Sequence, residues 1–204
     1  RYLIASEGAV FPDPVLPVVT MNRELVLMYD RQEDYWIFGE AESHDTNYSG
    51  AWIETWGQLV DFAYGVEFPH STLLISRKPK APTNWSDAIT IEELQAQWKQ
   101  AKTIFHPKLW VETDMRAHRN PLRPAVIRQA ATSCLDNWQR HCPRCDAPGW
   151  YPREAIVGLP CCQCSYPTSE VRAFRYCCPK CQYEEEHSVE TPCADPTYCQ
   201  LCNP

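Results

Sequence analysis

Glycine is scarce in this chain, with seven residues in 204. No phosphate-cradling loop of the G-x-x-x-x-G-K-[ST] type, no G-x-G-x-x-G and no G-x-S-x-G can be found. That removes the commonest nucleotide-binding loops and the nucleophile elbow. Long apolar runs are also missing, so no membrane-spanning segment and no secretory leader are expected. Clustered cations are missing too. The net charge is −7, with six Lys/Arg against eight Asp/Glu from residue 139 onward and thirteen against eighteen before it. Phosphate-backbone binding needs concentrated positive charge, and Glu184-Glu185-Glu186 would repel it, so nucleic acid is disfavoured as a partner.

The most informative absence is cysteine. None occurs in the first 133 residues, whereas all twelve lie from Cys134 onward. This asymmetry predicts an N-terminal domain over residues 1–138 that folds by burying apolar surface, and a stapled domain over 139–204 that is too poor in aliphatic runs to do so. Eight of the twelve cysteines form four C-x-x-C pairs: Cys142/Cys145, Cys161/Cys164, Cys178/Cys181 and Cys199/Cys202, separated by 15, 13 and 17 residues. Such a pair points two thiolates at one metal, and two pairs complete a tetrahedral S4 site. Two structural zinc ions are therefore expected, with a reducing cytoplasm as the matching compartment.

Two wirings satisfy the spacing. Sequential pairing joins 142/145 to 161/164 and 178/181 to 199/202, as tandem zinc ribbons. Interleaved pairing joins 142/145 to 178/181 and 161/164 to 199/202, as a cross-brace resembling RING-type folds. The shorter loops of the sequential wiring favour ribbons. Cys134 reads as a buried helical thiol. Cys162 and Cys177 adjoin ligands and leave the register open by one residue, Cys193 and His187 are reserve ligands, and His141 beside Cys142 reads as a bystander.

Upstream, the pattern indicates an α/β or α+β domain with a mixed sheet. Strands are expected at Tyr2–Ala5, at 24–29 and 35–40 as a hairpin, at 72–76 and at 109–111. Helical periodicity covers 50–64, with Asp45 or Thr46 as its cap. A polar stretch, 78–87, leads to a helix opened by the capping box Thr90/Glu93, and a last helix is expected over 124–138. The chain opens on a strand-like run without an initiator methionine, which suggests a fragment or processed product.

The densest polar cluster is Glu112-Thr113-Asp114-Met115-Arg116-Ala117-His118-Arg119. It follows a strand and precedes a helix, where open α/β sheets bind ligands. Glu112 and Asp114, with Glu7 at the end of the first strand, would hold Mg2+ or position water. Arg116 and Arg119 would bind phosphate, and His118 would transfer a proton. The expectation is a divalent-metal-dependent hydrolase of a nucleotide or other small phosphate-bearing substrate. The alternative is a non-enzymatic zinc-ribbon adaptor that docks a protein partner.

Ala5-Ser6-Glu7-Gly8, Thr46-Asn47-Tyr48, the ETDMRAH run Glu112–His118 with Asn120-Pro121, and the terminal Cys199-x-x-Cys202-Asn203-Pro204 resemble a bacterial family of uncharacterised proteins. That family is known as a domain of unknown function with a C-terminal zinc-knuckle region. The resemblance covers nearly the whole chain and implies the two-part plan. A looser likeness is to inosine-triphosphate pyrophosphatases, through Glu7 and through Ala117-His118-Arg119, which is similar to their Ser-His-Arg motif with alanine in place of serine.

Overall fold

The computed structural model of the protein describes residues 1–79, 88–105 and 107–204, so the polar stretch expected at 78–87 lies outside the described residues from 80 onward. In chain order the elements are β1 (Tyr2–Pro12), β2 (Thr20–Asp30), β3 (Tyr35–Ser43), β4 (Gly50–Ile53), α1 (Trp56–Gly65), β5 (Leu73–Ser76) and α2 (Ile91–Ile104). They continue with β6 (Leu109–Thr113), α3 (Arg123–Gln139), β7 (Tyr151–Val157), β8 (Val171–Cys177), β9 (Glu184–Ser188) and a 3-10 turn at Pro196–Tyr198. The fold is α+β, with three small antiparallel sheets in the orders β1-β2-β3, β4-β6-β5 and β7-β8-β9. By contact the chain divides into two units. One comprises 1–5, 26–39 and 131–204, and the other 6–25 and 40–130.

The expected mixed sheet is replaced by antiparallel pairing, and the reason is where β6 inserts. β4 and β5, joined through α1, run in the same direction but do not touch. β6 fills the space between them, antiparallel to both, with Ile53↔Leu109 on one side and Ile75↔Val111 on the other. One face of this sheet (Ile53, Leu73, Ile75, Leu109, Val111) packs against Leu59 and Ala63 of α1 and Leu94, Trp98 and Ala101 of α2. The alternation of strand side chains leaves Trp52, Trp110, Leu74 and Glu112 on the opposite face. There Trp52 and Trp110 meet edge to face, 5.6 Å between centroids.

The helical reading of 50–64 is corrected at its first turn. Gly50–Ile53 is strand, and the helix begins at Trp56 behind the cap Thr55, whose side chain accepts from Gln58 N–H while the Gln58 side chain returns to the Thr55 backbone. Thr90 and Glu93 form the expected capping box of α2. The β2–β3 hairpin also forms, its turn closed by Asp34 N–H donating to Asp30 O at 2.9 Å. On α3, Val126, Ala130 and Cys134 are buried. No helix among the described residues is long and apolar enough to cross a membrane.

Candidate metal centres

Three of the four C-x-x-C turns share one local design, while in the fourth Cys199 N–H donates back to Pro196 O at the end of a 3-10 turn. Cys142, Cys161 and Cys178 each donate their N–H five residues ahead, to Ala147, Tyr166 and Tyr183 O, and each accepts at its own carbonyl from the residue four ahead. That residue, Asp146, Ser165 or Gln182, sits in the left-handed region with φ between 57° and 61°. The tight turn aims backbone N–H groups at sulfur. Arg144, Gln163 and Cys181 N–H each lie 3.4 Å from the Sγ of Cys142, Cys161 and Cys178 respectively. Such donors favour the ionised thiolate.

The β7-β8-β9 sheet decides which turns meet. β7 leaves the first knuckle and β8 runs back into the third, with Tyr151 opposite Cys177. β9 leaves the third knuckle, with Glu184 opposite Cys177, and returns toward the second. The result is interleaved: Cys142, Cys145, Cys178 and Cys181 form one tetrad, and Cys161, Cys164, Cys199 and Cys202 the other. The tandem-ribbon wiring is therefore wrong. Loop-closure entropy separates the two wirings only weakly, and sheet pairing overrides it. Seven-residue strands place the tetrads at opposite ends of the sheet, about 20 Å apart.

Within the tetrads, Cys142–Cys181 and Cys145–Cys178 sulfurs are 3.8 and 3.6 Å apart, and Cys161–Cys202 and Cys164–Cys199 sulfurs 3.9 and 3.5 Å. A tetrahedron with metal–sulfur bonds of zinc length has edges of about 3.8 Å, so the sulfurs fit an ion of that size. Each tetrad can hold one metal ion. Neighbouring sulfurs, burial and backbone N–H groups push the thiol pKa values apart. Burial pushes Cys178 up to about 12, while the Tyr183 backbone N–H leads Cys181 down to about 7. In the second tetrad the neighbouring Cys164 pushes Cys202 up to about 12. Cys199, against opposing burial, is brought down to about 7 by the Cys202 and Leu201 N–H groups. A divalent ion is what allows all four to ionise together.

The remaining cysteines are placed as follows. Cys162 and Cys193, the one a register alternative and the other a reserve ligand in the sequence, are bonded to each other as a disulfide. Cys134 is buried with its Sγ 3.7 Å from Ile37 O, and burial raises its pKa. Cys177 is a half-buried free thiol. His141 bonds Asp146 O and His187 stacks on Tyr176, so neither joins a tetrad.

The upstream cluster is organised around internal pairs. Asp114, just past β6, is completely buried. Its carboxylate accepts from Arg116 Nε at 2.9 and 3.0 Å, from Arg116 Nη2 at 2.5 Å and from Arg116 N–H at 3.0 Å. Buried Asn120 donates to Asn47 at 2.8 Å, and Asn47 in turn donates to Ser71. Glu112 accepts from Trp110 Nε1 at 2.6 Å. Glu112, Asp114 and Arg116 line one cleft of about 340 Å³, together with Gly8, Tyr48 and Arg123. Glu7, His118 and Arg119 are not among its lining residues. Glu7 and His118 are exposed, and His118 and Arg119 sit in the Arg116–Asn120 turn.

Among the described residues, the two tetrads are the only groups of three or more His, Cys, Asp or Glu that converge on a metal-sized space. Glu7, Glu112 and Asp114 do not assemble such a group, and nothing here supports the expected Mg2+.

Two further features, one in each unit, are invisible in the sequence. Glu24 on β2, 1% exposed, pairs with Arg123 ninety-nine residues later, Nε–Oε1 2.6 Å and Nη2–Oε2 2.9 Å. Arg123 also donates to Met115 O at 2.5 Å. Hydrogen bonding to Glu24 holds the Arg123 pKa above its usual value against burial, and the Glu7 charge adds a smaller push. A second cleft, of about 570 Å³, lies between β3 and the third knuckle, with Trp36, Phe38 and Pro179 as its apolar surface and Asp34, Glu154 and Glu184 among its carboxylates.

A family model described as "Domain of unknown function (DUF6671)" matches residues 2–204. The chain belongs to that family. No curated protein and no solved structure matches it. For this member of the family, both metal tetrads and the Asp114–Arg116 cluster fall inside the matched region.

Proposed function

We propose that the protein binds two zinc ions, one per tetrad, and that they scaffold a docking surface for a protein partner instead of catalysing a reaction. The observation that carries the structural role is saturation. Four thiolates fill the tetrahedral shell of each ion and leave no position for water or substrate. All-sulfur tetrahedral sites suit zinc or iron, and metal analysis of freshly purified protein separates them. Two zinc atoms per chain are expected, and fewer than two would refute the reading.

The docking surface is the cleft between β3 and the third knuckle. Its two guanidiniums are already engaged. Arg175 is held by Glu154 at 2.5 Å and Glu186 at 3.0 Å, and Arg153 lies over the Tyr151 ring at 4.0 Å and donates to Trp36 O. With Glu154 spent on Arg175, Asp34 and Glu184 stand against Arg153 alone and leave the cleft mildly acidic, on a chain whose net charge is −7. The occupant that complements it is a basic segment of a partner, an Arg or Lys beside an aliphatic residue that reaches Trp36. Pro179 and Gln182 on its rim belong to the third knuckle, so docking depends on the first tetrad's ion.

The test is titration of an amidated Arg-Leu-Lys-Leu peptide into isotope-labelled zinc-loaded protein. Shifts centred on Trp36, Glu154 and Gln182, weakened in the Asp34→Asn/Glu184→Gln variant, are expected. Shifts elsewhere, or none, would remove the cleft as a docking site.

A second reading has one observation behind it, the convergence of Glu112, Asp114 and Arg116 on one cleft. There Glu112 would position water or a divalent ion, and Arg116 would face phosphate. Its weakness is that Asp114 and Arg116 are spent on each other. Turnover of any member of a Mg2+-supplemented panel of nucleotides and phosphate esters, abolished by Glu112→Gln, would move the assignment to hydrolysis.

A further inference from the structure

We propose that the Cys162–Cys193 disulfide is a thiol-exchange site that sets how tightly the second tetrad holds its ion. The inference rests on the zinc reading above and adds a co-reactant class, low-molecular-weight thiols.

The bond has a specific position. Cys162 directly follows the ligand Cys161, and Cys193 lies six residues before the ligand Cys199. The backbone ties beside it centre on Ala194, which forms a bridge with Cys161. Cys162 N–H donates to Ala194 O at 3.0 Å and Ala194 N–H to Pro160 O at 2.8 Å. From there a 3-10 turn leads to the fourth knuckle. The first tetrad is built differently. Proline follows the leading cysteine in both its knuckles, at Pro143 and Pro179. The third knuckle is flanked on both sides by paired strand residues, Cys177 and Glu184.

Without the disulfide, 35 residues separate Cys164 from Cys199, and the β8–β9 pairing of Ala173 with Ser188 shortens the gap the ion must close to about 20. With it, the path through the bond is about eight residues, and loop-closure entropy makes the difference worth about fourfold in affinity. Cys162 is exposed, so its sulfur is open to attack. One thiolate displaces a cysteine sulfur and forms a mixed disulfide. A second thiol resolves it and leaves as the small-molecule disulfide. Two electrons and two protons pass to Cys162 and Cys193.

The experiment counts zinc. Non-reduced protein loaded with two ions is titrated with a zinc chelator, with and without glutathione. After reduction one ion per chain should be stripped at about fourfold lower chelator concentration, while the other is unmoved. Cys162→Ser/Cys193→Ser should behave as the reduced protein without glutathione, and glutathione should then add nothing. Three outcomes would overturn the proposal: both ions responding alike, a variant that retains both ions as tightly as the parent, or alkylation of Cys162 and Cys193 before any reductant. Protein that never loads two ions would refute the zinc reading itself, and the initial metal count tells the two failures apart.

Discussion

Replacing Gly8 with alanine should cost far more than a surface strand position normally does. An added Cβ would lie 2.0 Å from Arg123 Nη2 and 2.1 Å from Glu24 Oε2. The Gly8 backbone is outside the left-handed region, so only space is at stake. The two groups in the way are the ends of a bidentate pair, with Glu24 side-chain exposure at 2% and Arg123 at 14%. Making room means parting them and leaving a buried carboxylate without its cation, a loss of about 3–5 kcal/mol for a fully buried pair.

The residual exposure of Arg123 puts the loss at the lower end, about 3 kcal/mol. Alanine recovers about 0.5–1 kcal/mol of backbone entropy, which leaves a net of about 2–3 kcal/mol. Urea unfolding of Gly8→Ala measures it directly. The cycle partner is Glu24→Ala/Arg123→Ala, where the space is vacated and Gly8→Ala should be neutral or slightly stabilising. Equal losses in both backgrounds would refute the reasoning, because the substitution would then act independently of the pair.

The wiring predicts metal counts by native mass spectrometry: Cys145→Ser/Cys181→Ser should retain one ion, and Cys145→Ser/Cys164→Ser none. Sequential ribbons would reverse those counts. The β1–β2 turn should respond to acid. The Leu16 N–H first, then His44 and the Val15 N–H, hold Asp13 down at about 2. A depressed carboxylate contributes above its ordinary value of 3.8 and loses that contribution as pH falls toward 2. The amide resonances of Val15 and Leu16 should therefore collapse across that window, and Asp13→Asn should remove the dependence. Thr90→Ala deletes the cap of α2 and should lower stability by about 1 kcal/mol in thermal unfolding, without changing zinc content.

Much of this architecture is local and so could be read from sequence. The Thr90/Glu93 box, the 35–40 strand and the cysteine pairs are short-range patterns whose physics lies within a few residues. Gly50–Ile53 was ambiguous because Trp52, Ile53 and Trp56 satisfy a helical period by coincidence. The overlooked signal was Thr55 with Gln58, the same kind of box that marked α2. Gly50 itself is where Trp110 lies across the strand, a ring atom 2.3 Å from where a Cβ would stand.

What could not be read was everything set by distant pairing. The partners of each knuckle depend on strand order, and Glu24–Arg123 joins residues on different elements. The Cys162–Cys193 bond links two cysteines that look like spare ligands. The ETDMRAH run shows the limit most plainly. Its charges suggested chemistry, yet Asp114 and Arg116 are largely consumed in holding the end of β6.

Each strand of the C-terminal sheet is tethered at its two ends to different tetrads: β7 between Cys145 and Cys161, β8 between Cys164 and Cys178, and β9 between Cys181 and Cys199. With both ions in place, no strand can peel away while its two anchors hold. Deuterium uptake at Ala155 and Phe174, in mid-sheet, should then keep pace with dissociation of an ion and not with fraying of backbone hydrogen bonds. On the zinc reading, the slowest clock in this half of the molecule would be set by inorganic chemistry.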